Sequence, residues 1–406
     1  MFRLGKQHCM IVGIILCLIA NGFAQEQNSL KFIHRKDKVL IDSTGKEVKL
    51  RGVNLGGWLL WEEWIWGEGF KSQTTILKRL GKLISADNAN KFRDSVYKEY
   101  ITESDIKEIA ACGFNVVRVP LNCRIFKYED SVFSYKGIGW CILDSLVKWC
   151  AKYHVYVILD MHGAPGGQSI WWTADPSSRA SDRLWVSNLR QHQTLDLWQA
   201  IARRYADNKI ILGYDLLNEP AAKKNNQLVG FYQEIINVIR KEDKVHLMVV
   251  EGGKFASKFQ FFTGLLDSNI VFSFHQYDWF GENPEKRVAV YKTLAEKFDA
   301  PLWCGEFGEN KYEIVKKTVA IYERPENHIS GWAYWTWKKV PNRFPALCGI
   351  KKTDSWSMLV KWMHHPAFHK RPTNEQATAA VNDFLKNCRF QNNVMDTTMM
   401  AILKPQ

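Results

Sequence analysis

The feature that most constrains the fold is a series of eight short apolar segments between Leu50 and Trp337. Each segment is long enough for one strand and carries few polar residues before its last positions, as strands buried on both faces do. The segments are 50–55, 116–120, 156–160, 210–217, 247–251, 270–274, 301–306 and 331–337. Because helical patterns separate most of them, the series predicts a parallel sheet, and the count of eight fits a closed (β/α)8 TIM barrel.

Helical patterns fill the intervals between these segments. Thr102 and Asp105 resemble an N-cap with an acidic N3 residue, and Gly113 ends the helix predicted over Glu103–Ala111. The other predicted helices are 140–154, 191–205, 229–240, 287–298, 312–322 and 374–385. A doubly wound open sheet is the alternative, but it expects a glycine-rich phosphate turn after an early strand. The sequence has no such turn in that context.

Other segments are predicted to cover the two ends of the barrel. Val39–Asp42 and Glu47–Leu50 flank turn residues, which predicts an N-terminal hairpin plug at the bottom. The segment from Gly56 to Phe70 and residues 164–190 are predicted as long loops at the C-terminal face. Both are rich in tryptophan. The residues after Cys388 show little pattern.

The first 24 residues have the pattern of a secretory signal peptide. Basic residues precede an apolar run over 9–20, which is too short to span a bilayer. Small residues near the end of the segment predict cleavage after Ala24. We therefore expect a secreted or periplasmic protein without stable membrane insertion. We expect one barrel domain over 25–388, a C-terminal tail over 389–406, and a monomer.

Composition excludes some classes of protein. The formal net charge is +13, but the basic residues are dispersed, which indicates a solvated surface and no nucleic-acid partner. Seven cysteines follow the leader, an odd and scattered set that is not a disulfide scaffold, although one or two bridges stay open. The 17 tryptophans fit two uses, which are core packing and stacking on the faces of sugar rings.

Polar and aromatic side chains recur at the C-terminal ends of the predicted strands. Glu219 lies in an Asn-Glu-Pro triplet, in which Pro220 prevents the strand from continuing. Glu306 lies in a Gly-Glu-Phe-Gly setting at the end of another apolar run. In a barrel these ends form one ring, which is where function resides. The ring comprises Arg118, His162, Asn218, Glu219, His275, Tyr277, Glu306 and Trp335.

Two carboxyl groups at strand ends suit the hydrolysis of a glycosidic bond, in which one is an acid and the other a nucleophile. Arg118 would lower the pKa of the carboxyl group beside it and favour the nucleophile. Repulsion and partial burial would raise the pKa of the other and favour the acid. Tyr277 can orient the nucleophile. The remaining members of the ring are suited to contact the sugar or to tune the pKa of the acid. They are His162, Asn218, His275 and Trp335.

On these residues the sequence resembles glycoside hydrolase family 5, from about Leu50 to Trp337. The resemblance implies a retaining mechanism with Glu219 as the general acid/base and Glu306 as the nucleophile. Residues 51–59 and 161–168 resemble the exo-β-1,3-glucanase and β-glucosidase branch. In that branch the acidic residue four positions after the tryptophan helps to bind the terminal sugar, and here that residue is Glu62.

The resulting hypothesis is a secreted retaining β-glycosidase that hydrolyses β-glucan in an exo mode, with an oligo- or polysaccharide as its substrate. The alternatives are an endo-acting cellulase, a mannanase or a glycolipid glycosidase with the same chemistry. A carbohydrate-binding protein without catalysis is a further alternative, and the intact pair Glu219 and Glu306 argues against it. No metal or cofactor is expected, because the sequence has no zincin-like helix motif, and it has no nucleophile elbow of a serine hydrolase either.

Overall fold

The computed structural model describes residues 30–129, 132–134, 137–278, 283–308, 311–342 and 345–404. The predicted signal peptide lies outside these ranges, and the division of the chain into leader, barrel and tail stays a prediction. Eight parallel strands close into a barrel in which each pairs with the next and the eighth pairs with the first. They are Leu50–Asn54, Val116–Asn122, Tyr156–Gly163, Ile211–Asp215, Leu247–Glu251, Ile270–Gln276, Leu302–Phe307 and Ile329–Tyr334. The predicted (β/α)8 barrel is confirmed.

Helices surround the barrel. Those between its strands are Gln73–Ile84, Ala86–Glu99, Glu103–Ala111, Ile138–Tyr153, Asn188–Tyr205, Asn225–Glu242, Pro284–Phe298 and Tyr312–Tyr322. A short helical segment, Gly253–Ala256, follows the fifth strand. Asp354–His364, Asn374–Cys388 and Thr397–Leu403 follow the eighth strand. None of the helices in the described ranges is long and apolar enough to cross a membrane.

The N-terminal hairpin closes the bottom of the barrel, and one of its strands, Val39–Asp42, has the predicted bounds. Its main partner is Ile33–Lys36, which was not predicted. The predicted partner segment Glu47–Leu50 contributes only the bridge of Glu47 to Ile41 and a hydrogen bond from Val48 N–H to the Leu40 carbonyl, because Leu50 belongs to the first barrel strand and pairs with the eighth. Side chains of the hairpin share one buried cluster with residues from all eight barrel strands.

Two further regions differ from the expectation. The segment between the first tryptophan-rich loop and Glu103–Ala111 holds two helices that were not predicted, Gln73–Ile84 and Ala86–Glu99. The region after Cys388 is also structured, since Val394–Met395 pairs antiparallel with Cys348–Gly349. The helix Thr397–Leu403 follows that strand and buries two of its side chains.

Tryptophan and cysteine are used mainly in the core. The largest fully buried side chains include Trp58, Trp61, Trp66, Trp140, Trp198, Trp303, Trp332 and Trp337. Three of these lie in the predicted aromatic loop after the first strand, so that loop packs inward. The seven cysteines after residue 24 are all free thiols, and four of them are buried. These seven cysteines therefore form none of the one or two bridges that the sequence left open.

Lys338 and Lys339 are adjacent buried lysines with different partners. Lys338 Nζ lies 2.5 Å from a carboxyl oxygen of Asp105 and donates to the backbone carbonyl of Cys388. Lys339 Nζ donates to the amide oxygen of Asn342, and burial lowers the pKa of Lys339 to about 7. Removal of Lys338 would therefore leave the buried carboxyl group of Asp105 without this cation, whereas the partner named for Lys339 is an uncharged amide.

We expect Lys338→Met to lower the free energy of unfolding by about 3–5 kcal/mol, because a buried carboxyl group would lose its charged partner. Lys339→Met is the matched control and should cost clearly less, since burial already disfavours the charge of that lysine. Urea unfolding followed by tryptophan fluorescence measures both values. Equal losses for the two variants would contradict the assigned role of the Lys338–Asp105 pair.

Candidate active site

A large cavity of about 1290 Å³ opens at the C-terminal ends of the barrel strands. Seven of the nine residues singled out from the sequence line it, namely Glu62, His162, Glu219, His275, Tyr277, Glu306 and Trp335. The other two, Arg118 and Asn218, are buried and do not line the cavity. Arg118 reaches its wall through a hydrogen bond to Glu306. The barrel therefore brings all nine residues into one region.

Glu219 and Glu306 face each other across the cavity floor. Glu306 lies near the end of the seventh strand, in register with His275 of the sixth. Glu219 follows the fourth strand and adopts a positive φ of 43°, which is uncommon for a residue that is not glycine. One carboxyl oxygen of each lies within 4.8 Å of the other. This proximity fits the separation of about 5–5.5 Å that retaining enzymes use, and it is shorter than the separation in inverting enzymes.

The surroundings of Glu306 favour its ionised form. One guanidinium nitrogen of Arg118 donates to Glu306 Oε1 at 2.8 Å, and Tyr277 Oη donates to Oε2 at 2.8 Å. Burial alone would raise the pKa of Glu306, but the charges of His275 and Arg118 outweigh burial and lower it. Both oxygens of Glu306 are thus held and oriented as a carboxylate.

Glu219 has the opposite electrostatic environment. Burial raises its pKa, and the charges of Glu306 and Glu251 raise it further, against the lowering effect of His275. Oε1 of Glu219 lies 3.0 Å from His275 Nδ1. The pKa of Glu219 is therefore raised and that of Glu306 is lowered, so Glu219 favours the protonated acid and Glu306 favours the anion. Acid–nucleophile chemistry needs this division of roles.

Glu251, at the end of the fifth strand, contacts Glu219 by two routes. Its Oε2 accepts a hydrogen bond of 2.6 Å from the backbone N–H of Glu219, the residue with the positive φ. Its Oε1 lies 3.1 Å from His275 Nε2, whose other ring nitrogen faces the Glu219 carboxyl group. Burial would lower the pKa of His275, but the charges of Glu251 and Glu306 raise it well above its ordinary value.

Several buried acids surround Arg118 below the cavity. Its guanidinium lies within 3.1 Å of a carboxyl oxygen of Asp160, Asp215, Glu251 and Glu306. The amide oxygen of Asn218 accepts a hydrogen bond of 3.0 Å from the same group. Burial and the nearby charge of Glu251 raise the pKa of Asp215 well above its usual range, against the lowering effect of Arg118. Since Arg118 also donates to the amide oxygen of Asn54, it connects six barrel strands, its own included.

Glu62 and His162 form a second group on the cavity wall. Glu62 is buried, its Oε2 accepts a hydrogen bond of 2.7 Å from Trp64 Nε1, and its Oε1 lies 3.7 Å from His162 Nε2. Burial raises the pKa of Glu62 to about 7. The ring of His162 stacks on Trp335 with their centroids 5.5 Å apart. Its Nδ1 shares a hydrogen bond of 2.6 Å with Oδ2 of Asp160. A carboxyl group, an imidazole and an indole therefore meet in one part of the cavity.

Sequence reasoning missed Glu251, Asp160 and Asp215. Each is an acid at or near the C-terminal end of an otherwise apolar strand, which is the signal that could have identified it. Within the described ranges, the residues with the spacing of metal ligands are Glu219, His275 and Glu306. The oxygens of Glu306 already accept hydrogen bonds from Arg118 and Tyr277, so the described contacts explain this group without a metal ion.

Comparison with known proteins agrees with this geometry. The model of the cellulase family, glycosyl hydrolase family 5, matches residues 41–340. A β-xylosidase of Phanerodontia chrysosporium is 30% identical over 336 residues, which cover 74% of this chain and 69% of that protein. The probable glucan 1,3-β-glucosidase A of Aspergillus clavatus is 28% identical over 343 residues, which cover 76% of this chain and 75% of that protein.

The fold also matches solved structures. A β-glucanase from Saccharophagus degradans, solved in complex with cellotetraose, superposes with a TM-score of 0.55 at 17% identity. The match covers 83% of this chain and 94% of that chain, and at this identity it supports the barrel fold alone. The family match spans most of the barrel and confirms the resemblance read from the sequence. The chain therefore belongs to glycosyl hydrolase family 5 and is a retaining glycoside hydrolase.

Proposed function

We propose that this enzyme is a secreted exo-β-glucanase that releases glucose from the ends of β-1,3-glucan by double displacement. Glu306 attacks the anomeric carbon and forms a glycosyl ester, while Glu219 gives its proton to the departing oxygen. Glu219 then takes a proton from water, which attacks the ester and restores the carboxylate of Glu306. The observation that carries the proposal is the pair of carboxyl groups within 4.8 Å, with opposite pKa shifts.

Glu62 supports the exo mode. A buried carboxyl group with a raised pKa, beside His162 and Trp335, offers hydrogen bonds to the hydroxyls of a terminal sugar and an indole face for its ring. A glucan that continued beyond the terminal sugar would bring further sugars against the same buried groups, which are Glu62, His162 and Trp335. The relative named as a probable glucan 1,3-β-glucosidase points to the same linkage. The proposed roles of the other site residues follow from their contacts, with Tyr277 and Arg118 holding the nucleophile.

The test of this function is a time course of products from laminarin-type β-1,3-glucan. Cellulose, mannan, xylan and aryl β-glycosides are assayed alongside, because another relative is named a β-xylosidase. Glucose as the sole early product supports the proposal. A ladder of oligosaccharides would replace the exo mode with an endo mode. Activity on another polymer alone would replace the linkage and leave the two-carboxyl mechanism in place.

Export and assembly are part of the proposal. N-terminal sequencing of the protein after expression with its leader should give residue 25 as the first residue, as expected for cleavage after Ala24. Light scattering of the purified enzyme should give the mass of a monomer. A retained leader would contradict the proposed export, and a larger mass would contradict the monomer. Neither result would affect the chemistry of the site.

Glu251→Gln should lower kcat about 10- to 100-fold, the rate equivalent of one charged hydrogen bond. The amide keeps the size of the side chain but removes the charge that faces His275 and Arg118, and it weakens the bond that holds the backbone of Glu219. Because the disturbed group is the proposed acid, we expect a larger loss on alkyl glycosides than on dinitrophenyl glycosides. Steady-state kinetics on both substrates measures the difference.

Asp215→Asn is the matched control for Glu251→Gln. Asp215 also contacts Arg118 and is equally buried, but no described contact joins it to Glu219 or His275. The amide keeps an oxygen for the hydrogen bond from Arg118 and leaves the surroundings of the proposed acid in place, so the loss of kcat should stay within about threefold. Equal losses in the two variants, without dependence on the leaving group, would assign Glu251 a structural role only.

A further inference from the structure

Lys339 is a buried cation that the proposed mechanism does not use. It is 1% exposed and does not line the active-site cavity. A lysine in such a place is unfavourable because its charge loses contact with water, and burial accordingly lowers the pKa of Lys339 to about 7. A methionine of similar length would fill the same space without a charge. Packing alone therefore does not account for a lysine at this position.

The ammonium group of Lys339 lies on the face of an indole that forms part of the cavity wall. Its Nζ is 4.8 Å from the centroid of the Trp64 ring. At this distance the electron-rich face of the ring attracts a cation, and the attraction is strongest where water is excluded. Trp64 lines the cavity, whereas Lys339 does not. The lysine therefore contacts the cavity wall through this ring and stays outside the cavity itself.

Further contacts connect the segment of Lys339 with the backbone around Trp64. Lys339 Nζ donates to Asn342 Oδ1 at 3.1 Å, and Asn342 Nδ2 donates to the carbonyl oxygen of Trp64 at 3.0 Å. The backbone N–H of Val340 donates to the carbonyl oxygen of Ile65 at 2.9 Å. The ring of Trp64, its carbonyl group and the next residue are therefore all held by one short segment that follows the eighth barrel strand.

The N–H group of the same indole holds Glu62. Trp64 Nε1 donates to Glu62 Oε2 at 2.7 Å, and Oε1 of Glu62 lies 3.7 Å from His162 Nε2. Because one carboxyl oxygen is fixed by the indole, the direction of the other one depends on where the indole lies. A cation on the face of an indole also polarises its N–H group and makes it a stronger donor. The charge of Lys339 can therefore influence both the position and the strength of this hydrogen bond.

We propose that Lys339 is a positioning residue for the terminal sugar, because its ammonium group holds the Trp64 indole in the place from which it orients Glu62. This inference rests on the proposed function for the contact between Glu62 and the terminal sugar. Since Lys339 does not line the cavity, its effect passes through Trp64 and Glu62. A group that prepares the site before the sugar arrives should affect binding more than the chemical step.

The first test is the variant Lys339→Met, which removes the charge and keeps the length of the side chain. We expect KM for an aryl β-glucoside to rise about 3- to 10-fold, while kcat changes by less than about twofold. Lys297→Met is the matched control, because Lys297 Nζ lies 4.6 Å from the ring of Phe298 and neither residue lines the cavity. It should leave KM unchanged. Thermal unfolding checks that the variants are folded, and Lys339→Gln replaces Lys339→Met if the latter is not.

A double-mutant cycle tests whether Lys339 acts through the indole. Trp64→Phe keeps an aromatic ring but lacks the N–H group that donates to Glu62. It should raise KM itself, and Lys339→Met should then add less than about a factor of 1.5 in the Trp64→Phe background. A loss of packing around Lys339 would give effects that multiply. Multiplying effects of the two substitutions overturn the inference, because the lysine would then act by another route.

The indole proton of Trp64 gives a readout that does not depend on a substrate. Its NMR resonance is identified by its absence in Trp64→Phe. The spectra are recorded at pH 6, below the pKa of Lys339, so that the ammonium group is charged. We expect the resonance to move upfield in Lys339→Met, as a weaker hydrogen bond to Glu62 requires. It should stay in place in Lys297→Met.

The outcomes separate this inference from the proposed function. If β-glucosides are cleaved and KM is unchanged in folded Lys339→Met, the inference fails and the proposed function stands. If the enzyme cleaves another glycoside but no β-glucoside, the proposed function fails, and the same cycle on that glycoside decides the inference. An indole resonance of Trp64 that does not move in Lys339→Met overturns the inference for any substrate.

Discussion

Glu306→Gln should reduce kcat by a factor on the order of 10⁴ or more while the protein stays folded, as losses of a catalytic nucleophile do. An amide oxygen does not form the glycosyl ester, so both steps of the double displacement are blocked. The fold should survive because Arg118 keeps its contacts with Asp160, Asp215 and Glu251. Turnover of an aryl β-glucoside and the thermal unfolding curve measure the two effects.

A trapping experiment gives this prediction a second readout. A 2-deoxy-2-fluoro glycoside with a good leaving group should add one sugar mass to the wild-type enzyme, on the peptide that contains Glu306, and none to Glu306→Gln. The control is Glu323→Gln, because Glu323 also forms a close pair with an arginine, Arg51, but does not line the cavity. It should keep its rate. Substantial turnover by Glu306→Gln, or label on another residue, would place the nucleophile elsewhere.

The elements of the barrel could be predicted where the signal is local. The fifth strand, Leu247–Glu251, and the helices Glu103–Ala111 and Tyr312–Tyr322 have the predicted bounds, because apolar period and capping residues act within one element. The extent of the hairpin could not be predicted in this way. Whether Glu47–Leu50 continues its pairing with Val39–Asp42 depends on whether Leu50 is already used by the barrel, and that is a contact between distant parts of the chain.

The same distinction applies to the candidate site. Residues at strand ends meet because the barrel closes, so Glu219, His275 and Glu306 could be grouped from sequence alone. The burial of Glu62 could not, since a short run of residues does not reveal whether a loop folds inward. The position of Glu251 at a strand end could have placed it in the ring, but its contacts with Glu219 and His275, which lie far away in sequence, could not be predicted.

The opposite pKa shifts predict a bell-shaped dependence of rate on pH. Glu306 must be ionised, so activity falls as the pH drops through its lowered pKa. Glu219 must be protonated in the first step, so activity falls as the pH rises through its raised pKa. Removal of Glu219 should therefore abolish the alkaline limb and keep the acidic one.

Glu219→Ala should slow hydrolysis of substrates with poor leaving groups by about 10²–10⁴-fold, because the departing oxygen receives no proton. A dinitrophenyl glycoside needs no such help, so its first step should be nearly unaffected and the glycosyl ester should accumulate. Azide should then restore turnover, since it attacks the ester without a general base. The product should be a β-glycosyl azide, as retention through Glu306 requires.

Glu219→Gln is the matched control for the azide experiment. It lacks the acid in the same way, so it should lose the same rate on poor leaving groups, but its side chain fills the space that azide would enter. Rescue in Glu219→Ala together with no rescue in Glu219→Gln assigns the effect to the vacated position beside His275 and Glu306. Equal losses on all leaving groups would mean that Glu219 is not the acid, because only a proton donor acts in proportion to the basicity of the departing oxygen.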